Sequence, residues 1–144
     1  MKVEKFATGI LGTNTYLVIN EETKQAVVVD PAALPKRLKE YIAENELKME
    51  AVLLTHAHFD HVMGIDGLVK EFGIPVYLHE EEKKILGDPE LNLSGVFGSS
   101  YSYSDVKCLK DGQEMKMAGF KFEVIHTPGH TSGGCCYYCE EEGI

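Results

Sequence analysis

The run Ala51-Val52-Leu53-Leu54 is wholly apolar and passes directly into Thr55-His56-Ala57-His58-Phe59-Asp60-His61. A strand with one wet face alternates apolar and polar side chains, so an unbroken apolar run reads as a short strand covered on both faces. That constrains the fold strongly: the chain must lay helices or a second sheet on each side of a central sheet. A loop leaving the end of such a strand is fixed at its root yet free to curl its side chains around a ligand.

Strands and helices mix along the rest of the chain. Lys2 to Phe6, Thr15 to Ile19 and Gln25 to Val29 read as strands, separated by Gly9, by Gly12-Thr13-Asn14 and by the polar run Asn20 to Lys24. Pro35 to Glu46 reads as an amphipathic helix with Leu38 and Ile42 on one face, and Ile65 to Phe72 as a helix ended by Gly73. Pro75 to Leu78 suits a short strand and Glu80 to Leu86 a short charged helix. Gly87 to Asp105 is rich in Gly, Ser and Tyr without a clear period, and loops of that length usually carry function or move. Glu114 to Met117, Lys121 to Ile125 and Gly134 to Glu140 complete the strands. The expected class is α/β, or α+β, in layers. The 144 residues suffice for one domain, 1–144, with a sizeable core.

A formal charge of −9, with 14 scattered Lys and Arg, repels phosphate backbones and argues against nucleic acid as a partner. No apolar run approaches the roughly 20 residues that span a bilayer, which argues against a membrane protein. The start, Met1-Lys2-Val3-Glu4-Lys5-Phe6, lacks the apolar stretch of a signal peptide. A cytoplasmic protein acting on a small molecule is expected. Of Cys108, Cys135, Cys136 and Cys139, the last two have C-x-x-C spacing. On a strand, residues three apart point to opposite faces, so buried strand cysteines are expected rather than a metal or redox pair. No disulfide is expected in a reducing compartment.

Within His56 to His61 the chain places three imidazoles and one carboxylate. Imidazole is the commonest zinc ligand, and a carboxylate adds a charged oxygen donor. A further imidazole, His130, lies in Thr127-Pro128-Gly129-His130-Thr131, where Pro128 and Gly129 favour a sharp corner. Added to the His56-x-His58 pair, it supplies the third nitrogen of a catalytic zinc site and leaves one position open for water. His79 and His126 match no ligand position. His79 opens a helix, and His126 either ends its strand or supports His130 from behind.

The string His56-x-His58-x-Asp60-His61, followed by Gly64 and by Thr127-Pro128-Gly129-His130-Thr131, resembles the metallo-β-lactamase superfamily. It is most similar to the glyoxalase-II-like branch, the hydroxyacylglutathione hydrolases and their small relatives. Asn14-Thr15-Tyr16-Leu17-Val18 through Val29-Asp30-Pro31 looks like that branch too, so the likeness runs from about Val3 to the end. It implies an αββα sandwich with metal at one edge of the sheets. His56, His58 and His130 would bind the first ion, and Asp60 and His61 would begin a second site. Asp30 would brace the metal loop, unless it merely ends its strand at a Pro turn. The family's bridging aspartate and last histidine have no match before Glu142-Gly143-Ile144, so the sandwich is expected to lack its C-terminal part.

The resemblance implies a hydrolase acting on a thioester or related ester through a metal-activated water, with Asp60 as the catalytic residue that orients or deprotonates that water. Zinc is the expected cofactor, as one or two ions, with iron or manganese as alternatives. The rival readings are a non-haem iron enzyme like the sulfur dioxygenases, and a catalytically inactive metal-binding fragment. An uncovered sheet edge and apolar face near Cys135 to Cys139 would favour self-association.

Overall fold

A computed structural model describes all residues, 1–144. Nine strands form two sheets. The larger has the order β1(Lys2–Thr8), β2(Thr13–Ile19), β3(Gln25–Val29), β4(Lys48–Leu53), β5(Val76–His79), β6(Val106–Leu109). Its first three strands are antiparallel neighbours and the remainder run parallel. The smaller sheet is antiparallel, β7(Glu114–Met117), β8(Phe120–His126), β9(Cys135–Tyr138).

The centre of β3 and the apolar end of β4, residues 51–53, are buried on both faces, as their sequence requires. Ala26, Val28, Val52 and Leu54 join a core shared with Leu38 and Ile42 of α1(Lys36–Glu44) and Ile65 and Leu68 of α3(Ile65–Phe72). Val27, Ala51 and Leu53 join a second core with Met115, Phe120, Phe122 and Val124 of the smaller sheet. The layers are therefore helix, sheet, sheet, and period-two alternation sorts each side chain to one interface or the other.

The helix α3 ends where Gly73 adopts φ 62°, which only glycine takes cheaply. Inside the histidine loop, Phe59–Val62 forms a single helical turn, α2. Glu80–Glu82 is a 3-10 turn running into α4(Lys83–Leu86). The strand β6 had no sequence expectation, because Val-Lys-Cys-Leu is too short to show a period. Segment 87–105 has no helix or strand of its own, but it is pinned. The buried Asn92 side chain donates to the carbonyls of Leu86 and Tyr101, at 3.3 and 2.8 Å.

Two expectations need correction. Only Cys135 and Cys139 are buried; Cys136 faces outward from β9, and Cys108 is exposed on β6 at the edge of the larger sheet. The outer face of the smaller sheet is not broadly apolar either. It carries exposed Glu114, Lys116, Lys121 and Glu123, with Ile125 and Tyr138 as the large apolar exceptions. No helix is long and apolar enough to cross a membrane.

Candidate metal centre

The strand β4 delivers the histidine loop at a fixed point. Leu54 N–H donates to the Tyr77 carbonyl at 2.9 Å, and Thr55 gives both its N–H (2.7 Å) and its hydroxyl (2.5 Å) to the buried Asp30 carboxylate. Phe59 and Val62 bury their side chains and anchor α2. The Phe59 N–H is held at its start by the Asn92 carbonyl at 2.8 Å. Gly64 follows, its N–H bonded to the Pro31 carbonyl at 2.8 Å.

His130 sits in the turn between β8 and β9, and β9 docks directly on the end of β4. Cys135 N–H donates to the Thr55 carbonyl at 2.9 Å, and the Tyr137 hydroxyl to the Leu54 carbonyl at 2.7 Å. Residues 72 apart thereby face each other, with His58 Nδ1 and His130 Nε2 separated by 3.0 Å. One donor nitrogen from each of His56, His58 and His130 lies within 4.8 Å of the other two. The three ring centroids are 4.6 to 5.0 Å apart.

The electrostatics favour the neutral form of His56 and His58. Burial, then the neighbouring His61, lowers the His56 pKa to about 4. Burial and His130 lower that of His58. Neutral imidazoles keep the lone pairs that a metal ion needs. Three imidazole nitrogens at one point, from two loops, fit a metal ion with an open position.

Asp30 and His61 form a second group with His56. Asp30 already accepts three hydrogen bonds, the third from His61 Nδ1 at 3.0 Å, so it acts as a brace. Burial alone would lower the His61 pKa, but the Asp30 bond and the charges of Asp30 and Asp60 outweigh it and raise it. With Nδ1 taken, His61 Nε2 points at Asp60 Oδ2, 3.4 Å away. Thr13 donates its hydroxyl to the same Oδ2 at 3.0 Å. Asp60 and His61 thus stand side by side, with His61 also against His56 at 4.1 Å between ring centroids.

His126 does not touch His130. Its Nε2 lies 2.8 Å from the Ser132 carbonyl, and its ring stacks on His79 at 4.0 Å, so it braces the turn's far end. Sequence reasoning missed Glu82 altogether. That carboxylate is fully buried and accepts the N–H of Ala57 at 2.7 Å and of Gly133 at 2.8 Å, tying the two ligand loops together. Within Glu80-Glu81-Glu82 nothing in the sequence marks the one that turns inward. Thr13 was likewise read only as part of a turn.

Two layered sheets with a histidine-rich loop at their edge define a metal-binding hydrolase fold. Residues 8–144 match the family model of the metallo-beta-lactamase superfamily, and the chain belongs to that family. It is 32% identical over 136 residues to the hydroxyacylglutathione hydrolase GloC of Haemophilus influenzae, covering 92% of this chain and 64% of that protein. Among solved structures it resembles the BLEG-1 B3 metallo-beta-lactamase, at 36% identity and a TM-score of 0.89 over 98% of this chain and 68% of that one. It also resembles a di-iron-bound form of TTHA1623, at 33% identity and a TM-score of 0.79 over 96% of this chain and 68% of that one. The chain therefore spans about two thirds of the length of these relatives.

Proposed function

We propose that the chain holds a zinc ion through His56, His58 and His130 and hydrolyses a thioester or related ester, with Asp60 as the proton-handling group. The observation that carries this reading is the convergence of three imidazole nitrogens beside the Asp60–His61 pair. An ion held by the three imidazoles would lower the pKa of a water to about 7 and act as a Lewis acid toward the scissile carbonyl. Asp60 Oδ2 is held by the Thr13 hydroxyl and faces His61, which leaves Oδ1 to accept a proton from the attacking water. That proton passes to the departing thiolate or alkoxide as the acyl bond breaks, giving a carboxylic acid and a thiol or alcohol. Against the effect of burial, the Asp30 hydrogen bond and the charges of Asp30 and Asp60 raise the His61 pKa, which favours its charged form beside Asp60.

The likeness to a hydroxyacylglutathione hydrolase supports a thioester, and four unpaired cysteines suit a reducing cytoplasm. One observation favours a second reading, an iron-dependent oxygenase: the likeness to a di-iron-bound protein. The test strips the chain of metal, restores zinc or ferrous iron, and follows thiol release, β-lactam opening and oxygen uptake. Zinc-restored thiol release, lost in Asp60→Asn and His130→Ala, is expected. Oxygen uptake with iron alone, or release indifferent to metal, would overturn the reading.

A further inference from the structure

A cavity of ≈ 240 Å³ opens against Asp60, which is its only charged lining residue. Apart from Gly9 and Ser99, the remaining wall is apolar and comes from separate parts of the chain. Ile10 reaches in from the β1–β2 hairpin, Ala32 and Ala33 from the turn after β3, Phe59 and Met63 from α2 and its end, and Phe97 from segment 87–105. Phe97 stacks on Phe59 with ring centroids 4.5 Å apart, which fixes that wall.

Core packing does not account for this surface. Ile10 is 82% exposed and Phe97 55%, although both are large and apolar. Exposed apolar side chains gathered around one concavity mark a binding site rather than ordinary scatter. At about 30 Å³ per water-sized group, the space takes roughly eight such groups, too few for a protein segment. Because Asp60 lines the space, a group in it would lie next to an acyl carbon presented to Asp60.

We infer that this cavity is the acyl pocket of the centre, and that the substrate carries an unbranched apolar acyl chain of about four to eight carbons. The inference rests on the hydrolase reading. The chain's methylenes leave water for the Ile10, Met63 and Phe97 surfaces, and its carbonyl is left beside Asp60 and the histidine triad.

Straight-chain carboxylates from acetate to decanoate, titrated calorimetrically into the zinc-loaded chain, test the pocket without turnover. Affinity should rise roughly three- to fourfold per methylene and level off near eight carbons. Straight-chain acyl thioesters of N-acetylcysteamine should show the same climb in kcat/KM. Ile10→Ser and Phe97→Ser alter exposed residues, so the fold and zinc content should persist while both climbs flatten. A flat carboxylate series, or a climb unchanged in both variants, would overturn the pocket even if acetyl thioester is hydrolysed and the hydrolase reading stands. A climbing carboxylate series with no thioester cleaved would overturn the hydrolase reading, and the acyl assignment with it.

Discussion

Ala57, flanked by His56 and His58, donates its backbone N–H to the buried carboxylate of Glu82 at 2.7 Å. The other carboxylate oxygen takes the Gly133 N–H at 2.8 Å, just beyond His130. A single charged group thus sets the spacing of loops that lie far apart in the chain. The space around it is tight: a Cβ on Gly133 would come within 2.5 Å of the Glu82 backbone nitrogen.

Glu82→Gln should weaken zinc binding about 10- to 100-fold, the usual effect of losing a group that orients ligands. An amide presents one acceptor oxygen where the carboxylate had two, and one of the two N–H donors loses its partner. Bonds to charged groups are worth about 1.5 to 3 kcal/mol each, so the thermal midpoint should fall as well. Chelator competition gives the affinity and circular dichroism the midpoint; unchanged affinity would make Glu82 a purely structural residue.

Gly64→Ala should destabilise the chain by about 1 to 3 kcal/mol through overpacking. A Cβ there would meet the Pro31 carbonyl oxygen and the Ala33 carbonyl carbon, each at 2.8 Å, and backbone cannot step aside as a side-chain tip can. Urea unfolding monitored by circular dichroism reads the change. A loss under about 0.5 kcal/mol would show that the loop relaxes freely.

The metal-free chain should lose stability on acidification between about pH 6.5 and 4. His56 has a folded pKa of about 4 against an ordinary 6.5, so the unfolded chain takes up its proton first. Its contribution is intact above pH 6.5 and fully lost below about 4. His61 has the opposite sign: its raised pKa adds stability at low pH that fades as pH rises through the folded value. Melting His56→Gln beside the parent over this range should show a shallower acid loss, and an identical profile would remove His56 as the source.

Elemental analysis of the purified chain should give about one equivalent of metal, as the first site has three nitrogen donors and the second only Asp60 and His61. His130→Ala should abolish retention at micromolar free zinc, whereas His61→Ala should keep most of it. Two tightly held ions, or retention in His130→Ala, would show that the donors are assigned wrongly.

Self-association is expected along β9, which pairs with β8 on one side only and leaves Tyr138 exposed near Ile125 of β8. The charged outer face limits its extent, and Glu142 caps the N-terminal amine at 3.1 Å. Light scattering should show concentration-dependent dimers or larger species that Tyr138→Lys reduces. A monomer at millimolar concentration would remove the edge as an interface.

The sequence by itself determined what local pattern can determine. Period-two alternation sorted Val27 and Val28, or Leu53 and Leu54, to opposite faces, and the unbroken apolar run required cover on both. Ligand chemistry was equally local, since His56, His58, Asp60 and His61 lie in one loop and Pro128-Gly129 marks the turn that carries His130. Only the tertiary structure decided which distant elements meet. The docking of β9 on Leu54 and Thr55 brings His130 to His58, the fold turns Glu82 inward, and the hairpin carries Thr13 to Asp60. Periodicity fixes the face of a strand on which a side chain lies; it carries no information about what the rest of the chain packs opposite that face.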